Sequence, residues 1–277
     1  MEKNLIKVNE IIENDIIFEF KQSANVLFNF MRELDYLKKI LKNKAIIPRY
    51  YEESIEYLEI EKIKKIVFPM TCFCDINLNK LESHVEYYGT IGIGLDKGWA
   101  IGKGIQPIHY VNTKSDILIM FKKIFTEAFD KEEVSELENV YYSYLLMHLL
   151  YIKPLNGKML NSKKEYINKN FHDEKEWRYI PKIEESDGIE LILPSEYIGN
   201  SKAYNTYSDG LYKLNHLWLS FDYADIEYLI VENNIQRNSL IDFIVNELDC
   251  DSIDKYTLIS KISVFNKLKK DWWLDVC

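Results

Sequence analysis

The sequence predicts an α+β protein, a mixed sheet with helices packed around it. Three observations predict this. Apolar runs of strand length, beginning with Val26–Phe30, are spread along the chain as far as Val231. Two stretches, Asp116–Phe129 and Glu136–Tyr151, repeat apolar residues at three- and four-residue intervals, the mark of a helix with one buried face. Strands and helices neither alternate strictly nor separate into blocks, which favours α+β over a doubly wound sheet.

The elements follow in order. Ile16–Phe20 is a short apolar run, and Val26–Phe30 reads as a buried strand carrying one polar side chain, Asn29. Leu34, Leu37, Ile40 and Leu41 have helical spacing within Glu33–Asn43, and Asn43 is a C-terminal stop. Ala45–Pro48 is extended. Ile66–Phe68 and Cys72–Cys74 are strands broken by Pro69, and Asn79–Tyr88 is a short helix capped by Asn79. Gly89–Leu95 alternates glycine with Ile91, Ile93 and Leu95, a strand that another backbone or a ligand approaches closely. Ile108–Val111 is a further strand. Pro154 and Gly157 end the central helical region, strands return at Glu190–Leu193 and Tyr228–Val231, and helices close the chain at Ile235–Leu248 and Leu258–Leu268. The chain is read as one domain, with a core over about residues 16–232 and a helical C-terminal part over about 233–277.

Composition narrows the function classes. A net charge of −9 over 277 residues predicts no general affinity for nucleic acid or for an anionic membrane surface. The four cysteines are too few and too irregularly spaced for a disulfide framework. No stretch approaches the length of an apolar membrane span, and the N-terminus lacks the apolar segment of a signal peptide. The expectation is a reduced, cytoplasmic protein.

The densest chemistry lies in Asp173–Pro181. In a strand, Glu174, Glu176 and Arg178 share one face, and Lys175, Trp177 and Tyr179 the other. An arginine beside carboxylates keeps them ionised and aimed, which suits stabilising a positive charge that develops in a reaction. The same pattern also fits a solvated edge strand with a surface ion pair. Gly89, Gly92 and Gly94 lack the residues of a phosphate loop. Cys72, Cys74 and His84 have poor spacing for zinc, so no metal is predicted. His84, near Tyr87, Tyr88 and Gly89, faces a pocket or caps a helix, and His148 reads as a core histidine. Glu52, Glu53, Asp75 and Glu176 are conceivable ligands of a metal-dependent nuclease, but no carboxylate–lysine nuclease pattern accompanies them.

Several segments together resemble one family, the AbiGi-type abortive phage infection proteins of bacteria. They are Leu27–Phe30, Leu37–Leu41, Ile47–Tyr50 with Glu52 or Glu53, Cys72–Ile76, His84–Gly89, Gly92–Leu95, Pro107–Val111 and Asp173–Pro181, with a weaker continuation at Asp225–Val231. The resemblance implies a role in phage defence, as an effector or as an antitoxin with a partner protein from a defence operon. A looser resemblance, carried by the opening strand, the following helix and Ile46-Ile47-Pro48-Arg49, is to ADP-ribosyltransferase-like folds. It implies NAD as a substrate, with Glu174 and Glu176 as the catalytic Glu-x-Glu and Arg178 beside them. It also implies a cofactor site at Asn29, Arg49, His84, Tyr87, Tyr88 and Gly89. Asn29 stands where those folds usually carry a histidine. A carboxylate near the ribose would stabilise an oxocarbenium-like transition state, and an aromatic ring would stack on nicotinamide.

Overall fold

The structure is a computed structural model that describes residues 23–60, 63–129, 135–160, 165–194 and 201–272. The apolar run at Ile16–Phe20 lies outside them.

The described chain opens with strand β1 (Val26–Met31), helix α1 (Leu34–Asn43), and strands β2 (Ala45–Ile46), β3 (Arg49–Ser54) and β4 (Lys65–Cys74). Helix α2 (Glu82–Tyr88), strand β5 (Ile91–Asp96), helix α3 (Lys97–Gly102), and strands β6 (Gln106–Pro107) and β7 (His109–Val111) follow. Two long helices, α4 (Asp116–Phe129) and α5 (Glu136–Leu150), lead to β8 (Ile152–Pro154), β9 (Asn156–Leu160), β10 (Tyr166–Asn170), β11 (Glu176–Tyr179) and β12 (Leu193–Pro194). The last third holds α6 (Ser201–Tyr212), β13 (Leu219–Ser220), β14 (Ile226–Val231), α7 (Asn234–Asn246), α8 (Ser252–Ser260), β15 (Ile262–Val264) and α9 (Phe265–Trp272).

The main sheet runs β15-β14-β5-β1-β4-β11-β6, with β3 and β12 also paired to β4. Its pairs are antiparallel except β14–β15, so the sheet is mixed and the fold is α+β. Strand alternation splits it into two chemically different faces. Leu27, Met31, Phe73, Ile91, Ile93, Leu95, Leu229 and Val231 point to one face and meet Leu37 and Leu41 of α1, Leu240 and Phe243 of α7, and Leu258 of α8. The other face carries Phe28, Cys74 and Ile230 beneath Leu81 and Val85. Farther across, Ile66, Phe68 and Met70 lie beneath Leu118, Phe121 and Phe125 of α4 and Leu145 and Leu149 of α5.

Three expectations need correction. Pro69 does not break a strand: β4 runs through it. The strand's neighbour changes there, from β12 at Val67 to β11 at Thr71, and such a gap tolerates a residue without an N–H. Asn79 caps no helix: a short 3-10 turn at Leu78–Lys80 precedes α2, which starts without a side-chain cap. The C-terminal part is not purely helical. The segment read as one helix over Leu258–Leu268 breaks at Lys261, and Ile262–Val264 adds a parallel strand to β14 before α9 begins.

The glycine strand also has a different explanation. A Cβ at Gly92 would lie 2.7 Å from the Phe30 ring, and one at Gly94 2.8 Å from the Phe28 ring. The close approach that demands glycine is made by the protein's own phenylalanines.

Candidate functional site

Strand β11 builds the centre of the site. It lies inside the sheet, between β4 and β6, with Glu176 opposite Cys74 and Arg178 opposite Cys72. Its four residues alternate as expected. Trp177 and Tyr179 join the apolar cluster on the face that Leu27 and Phe73 share, with Lys97 over the Trp177 ring and the Tyr179 hydroxyl donating to the Leu217 carbonyl, while Glu176 and Arg178 point to the other face. Glu174 is not on the strand. It ends a 3-10 turn, Phe171–Glu174, and Lys175 (φ 42°) turns the chain into β11. Glu174 still reaches the same cluster from that turn. The solvated-edge alternative is overturned, since Glu174, Glu176 and Arg178 are only 3 %, 6 % and 0 % exposed.

Charges this deep persist only when paired. Arg178 Nε lies 2.6 Å from Glu176 Oε1, Nη2 lies 3.0 Å from Glu53 Oε2, and Nη1 donates to the Leu150 carbonyl at 2.7 Å. Lys153 Nζ, from β8, bridges Glu176 Oε2 at 2.9 Å and Glu174 Oε2 at 3.0 Å. Lys169 Nζ, from β10, lies 2.6 Å from Glu174 Oε1. The Tyr88 hydroxyl donates to that same oxygen, and the Tyr110 hydroxyl accepts from the Glu176 backbone N–H at 2.8 Å. Three carboxylates thus meet three cations.

The electrostatics follow from this geometry. Burial alone would raise the Glu176 carboxyl, but Arg178 and then Lys153 outweigh it and hold it far below the usual carboxylate range. Glu174 is lowered in the same way: burial opposes the shift, and Lys153 and Lys169 overcome it. Lys153 is raised well above the ordinary lysine value, since Glu176, Glu53 and Glu174 outweigh its burial. His84, stacked on Tyr88 at 4.5 Å, is pushed down to about 4, chiefly by burial, with Glu174 opposing. The phenol of Tyr88 is pushed up by burial and then by the charge of Glu174.

The predicted cofactor residues divide. His84 and Tyr88 of α2 join the cluster, and Tyr87 lies beside it with Lys169 4.0 Å from its ring. Asn29 does not join them. Alternation puts it with Leu27 and Met31, on the face opposite Glu176, where Nδ2 donates to the Cys72 carbonyl at 2.8 Å. That bond bridges a gap, because β1 and β4 share one paired position, Phe28 with Cys74. Arg49 is exposed and reaches Asn205 of α6 at 3.4 Å. Gly89 ends α2 at φ 107°, and a Cβ there would run into the Met31 carbonyl, so its requirement is local packing. Sequence reasoning missed Lys153 and Lys169. Each sits in a short strand of mixed character, and the only signal for them was indirect: buried carboxylates need cations.

The comparisons fit the segments that make this cluster. Residues 44–232 match the family described as "Putative abortive phage resistance protein AbiGi, antitoxin". The chain is also 35% identical over 252 residues to the Abortive phage resistance protein AbiGi of Lactococcus lactis subsp. cremoris, covering 82% of this chain and 100% of that one. The chain belongs to the AbiGi family. No solved structure matches it. The matched AbiGi region spans β3, α2, both lysine-bearing strands and β11, so the cluster lies within the matched stretch. Among the described residues, no helix is long and apolar enough to cross a membrane.

Proposed function

We propose that this AbiGi protein is the binding component of an abortive-infection system, an antitoxin that acts by engaging a partner protein. In this reading the cluster around Glu176 is structural. The observation that carries it is the pairing of the carboxylates. Each of the four carboxylate oxygens of Glu174 and Glu176 has a cationic nitrogen within 3.0 Å. A carboxylate that stabilises a developing sugar cation needs an oxygen directed at the sugar, and its negative charge must not already be cancelled. The family description as antitoxin supports the same reading.

The test is co-expression. The full chain should rescue growth of cells that make the toxic protein encoded beside it, and purified chain should transfer no label from NAD to proteins of a lysate. Failure to rescue, or label transfer that disappears in Glu176→Gln, would overturn the proposal.

A second reading, an NAD-using ADP-ribosyltransferase-like effector, is favoured by one observation. His84, Tyr88, Glu174 and Glu176 do converge, where an aromatic ring could stack and a carboxylate lies close. The position of Asn29 across the sheet weakens it. Label transfer in the assay above decides for it.

A further inference from the structure

We propose that His109 and His148 together bind one divalent transition-metal ion of the zinc type, at a site that clips strand β7 to the end of helix α5. The site is separate from the Glu176 cluster and independent of the antitoxin reading.

The two imidazoles come from distant segments, so no ligand spacing is visible in the sequence. His109 opens β7, and its backbone N–H donates to the Tyr151 carbonyl at 2.7 Å. His148 lies in the last turn of α5, and its carbonyl accepts from the Tyr151 N–H at 3.0 Å. Both histidines are thus tied to the same residue, and their rings lie side by side, with centroids 5.1 Å apart and planes at 58°. Alternation along β7 turns His109 away from Tyr110, the residue that reaches Glu176.

A shared ion needs this separation. A zinc–nitrogen bond is about 2.0–2.1 Å and the ring centre lies about 1 Å behind the nitrogen, so two imidazoles at a tetrahedral angle have centres roughly 5 Å apart. Ring stacking alone would also tolerate 5.1 Å, and the nitrogens separate the two cases. Among the described residues, neither imidazole has a hydrogen-bond or ion partner, whereas His216 spends Nε2 on Asp187 at 2.8 Å. The His148 ring is flanked by Phe121 at 5.4 Å and Tyr144 at 5.8 Å, an apolar surround that fixes one ligand. His109 is exposed and gives an ion its entry.

Chemistry selects the ion. Imidazole suits zinc, copper and nickel, while magnesium and calcium take oxygen ligands. Among the described residues, no third histidine, cysteine or carboxylate completes a set, so the remaining positions go to water and the ion exchanges readily. The net charge of −9 favours the approach of a cation.

The test is calorimetric titration of the full-length, chelator-stripped chain with zinc chloride, beside thermal melts. Wild type should take up zinc and melt higher with it than without, because an ion bound only by the folded chain stabilises it. His109→Ala removes one ligand. His148→Phe removes the other while keeping a ring against Phe121 and Tyr144. Each should weaken zinc binding by about tenfold or more and abolish the zinc-dependent rise in melting temperature. Melting without zinc shows that each variant folds, and the exposed position of His109 keeps the test decisive if His148→Phe melts early. Magnesium should produce neither effect. No zinc uptake by wild type overturns the site. Uptake that either variant leaves undiminished overturns the pairing, and an equal response to magnesium overturns the ligation by nitrogen.

Discussion

The face of β11 that carries Glu176 and Arg178 and the outer face of the α4–α5 hairpin both invert the usual distribution of polar and apolar groups. The first buries charge, the second exposes apolar side chains, and the consequences differ. Around Arg178 every buried charge has met its opposite within the chain, at 2.6 to 3.0 Å. On the hairpin, Ile117, Met120 and Tyr144 face solvent. A buried, balanced ion cluster holds elements together: this one ties β3, β8, β10 and β11 to one another and, through Tyr88, to α2. The comparison teaches that dense charge in the sequence can mark a buried joint between elements rather than an exposed strip.

The largest effect should come from breaking the balance. Glu176→Gln leaves Arg178 and Lys153 buried with too little negative charge, so it should cost about 3–5 kcal/mol in chemical denaturation. Arg178→Met should cost as much, since Glu176 and the Leu150 carbonyl then lose their donor. A loss below about 1 kcal/mol in either variant would mean that the charges are solvated and the contrast between the regions is false.

Acidification provides the next effect. An unfolded histidine takes up a proton near ~6.5, while folded His84 resists until about 4. Between those values the unfolded chain binds more protons, so stability is full above ~6.5 and declines as pH falls toward 4. The loss from this one residue is about 3 kcal/mol at its limit. His84→Phe should flatten the denaturation midpoint across that window, and an unchanged pH profile in the variant would remove His84 as its cause.

Smaller still is Gly92→Ala, whose methyl would meet the Phe30 ring at 2.7 Å. It should destabilise by about 1–3 kcal/mol. Combining it with Phe30→Leu should recover part of that loss in the same denaturation series. No recovery would mean that the glycine serves something other than its phenylalanine neighbour.

Much of the fold was legible because periodicity is a local property. Helix α4 falls at the residues its spacing predicts, and α1, α7 and β14 lie within two residues of expectation. What was missed depended on partners. Pro69 looks like a strand break until β12 and β11 are seen to leave a gap for it. Gly92 and Gly94 look like a ligand's approach until the rings above them are known. Alternation correctly joined Glu176 and Arg178, but it could not say that their face was inside the protein or that Lys153 and Lys169 would arrive from β8 and β10. It also could not say that Asn29 would fall on the other side of the sheet. The apolar content of α5 was visible as a helix signal, and only packing separates its buried leucines from the outward Tyr144 and Met147.

The most direct test of the central claim, that the Glu176 cluster is architecture, replaces its core with apolar groups while keeping the remaining charges balanced. Glu176→Leu with Arg178→Met leaves Glu53 and Glu174 against Lys153 and Lys169. Apolar replacement of a buried ion pair is often neutral or stabilising, unlike removal of one partner. Measured beside both single variants, the double variant should melt above either of them and still rescue cells from the toxic partner. A double variant that melts like wild type yet rescues nothing would contradict the account and return Glu176 and Arg178 to the chemistry.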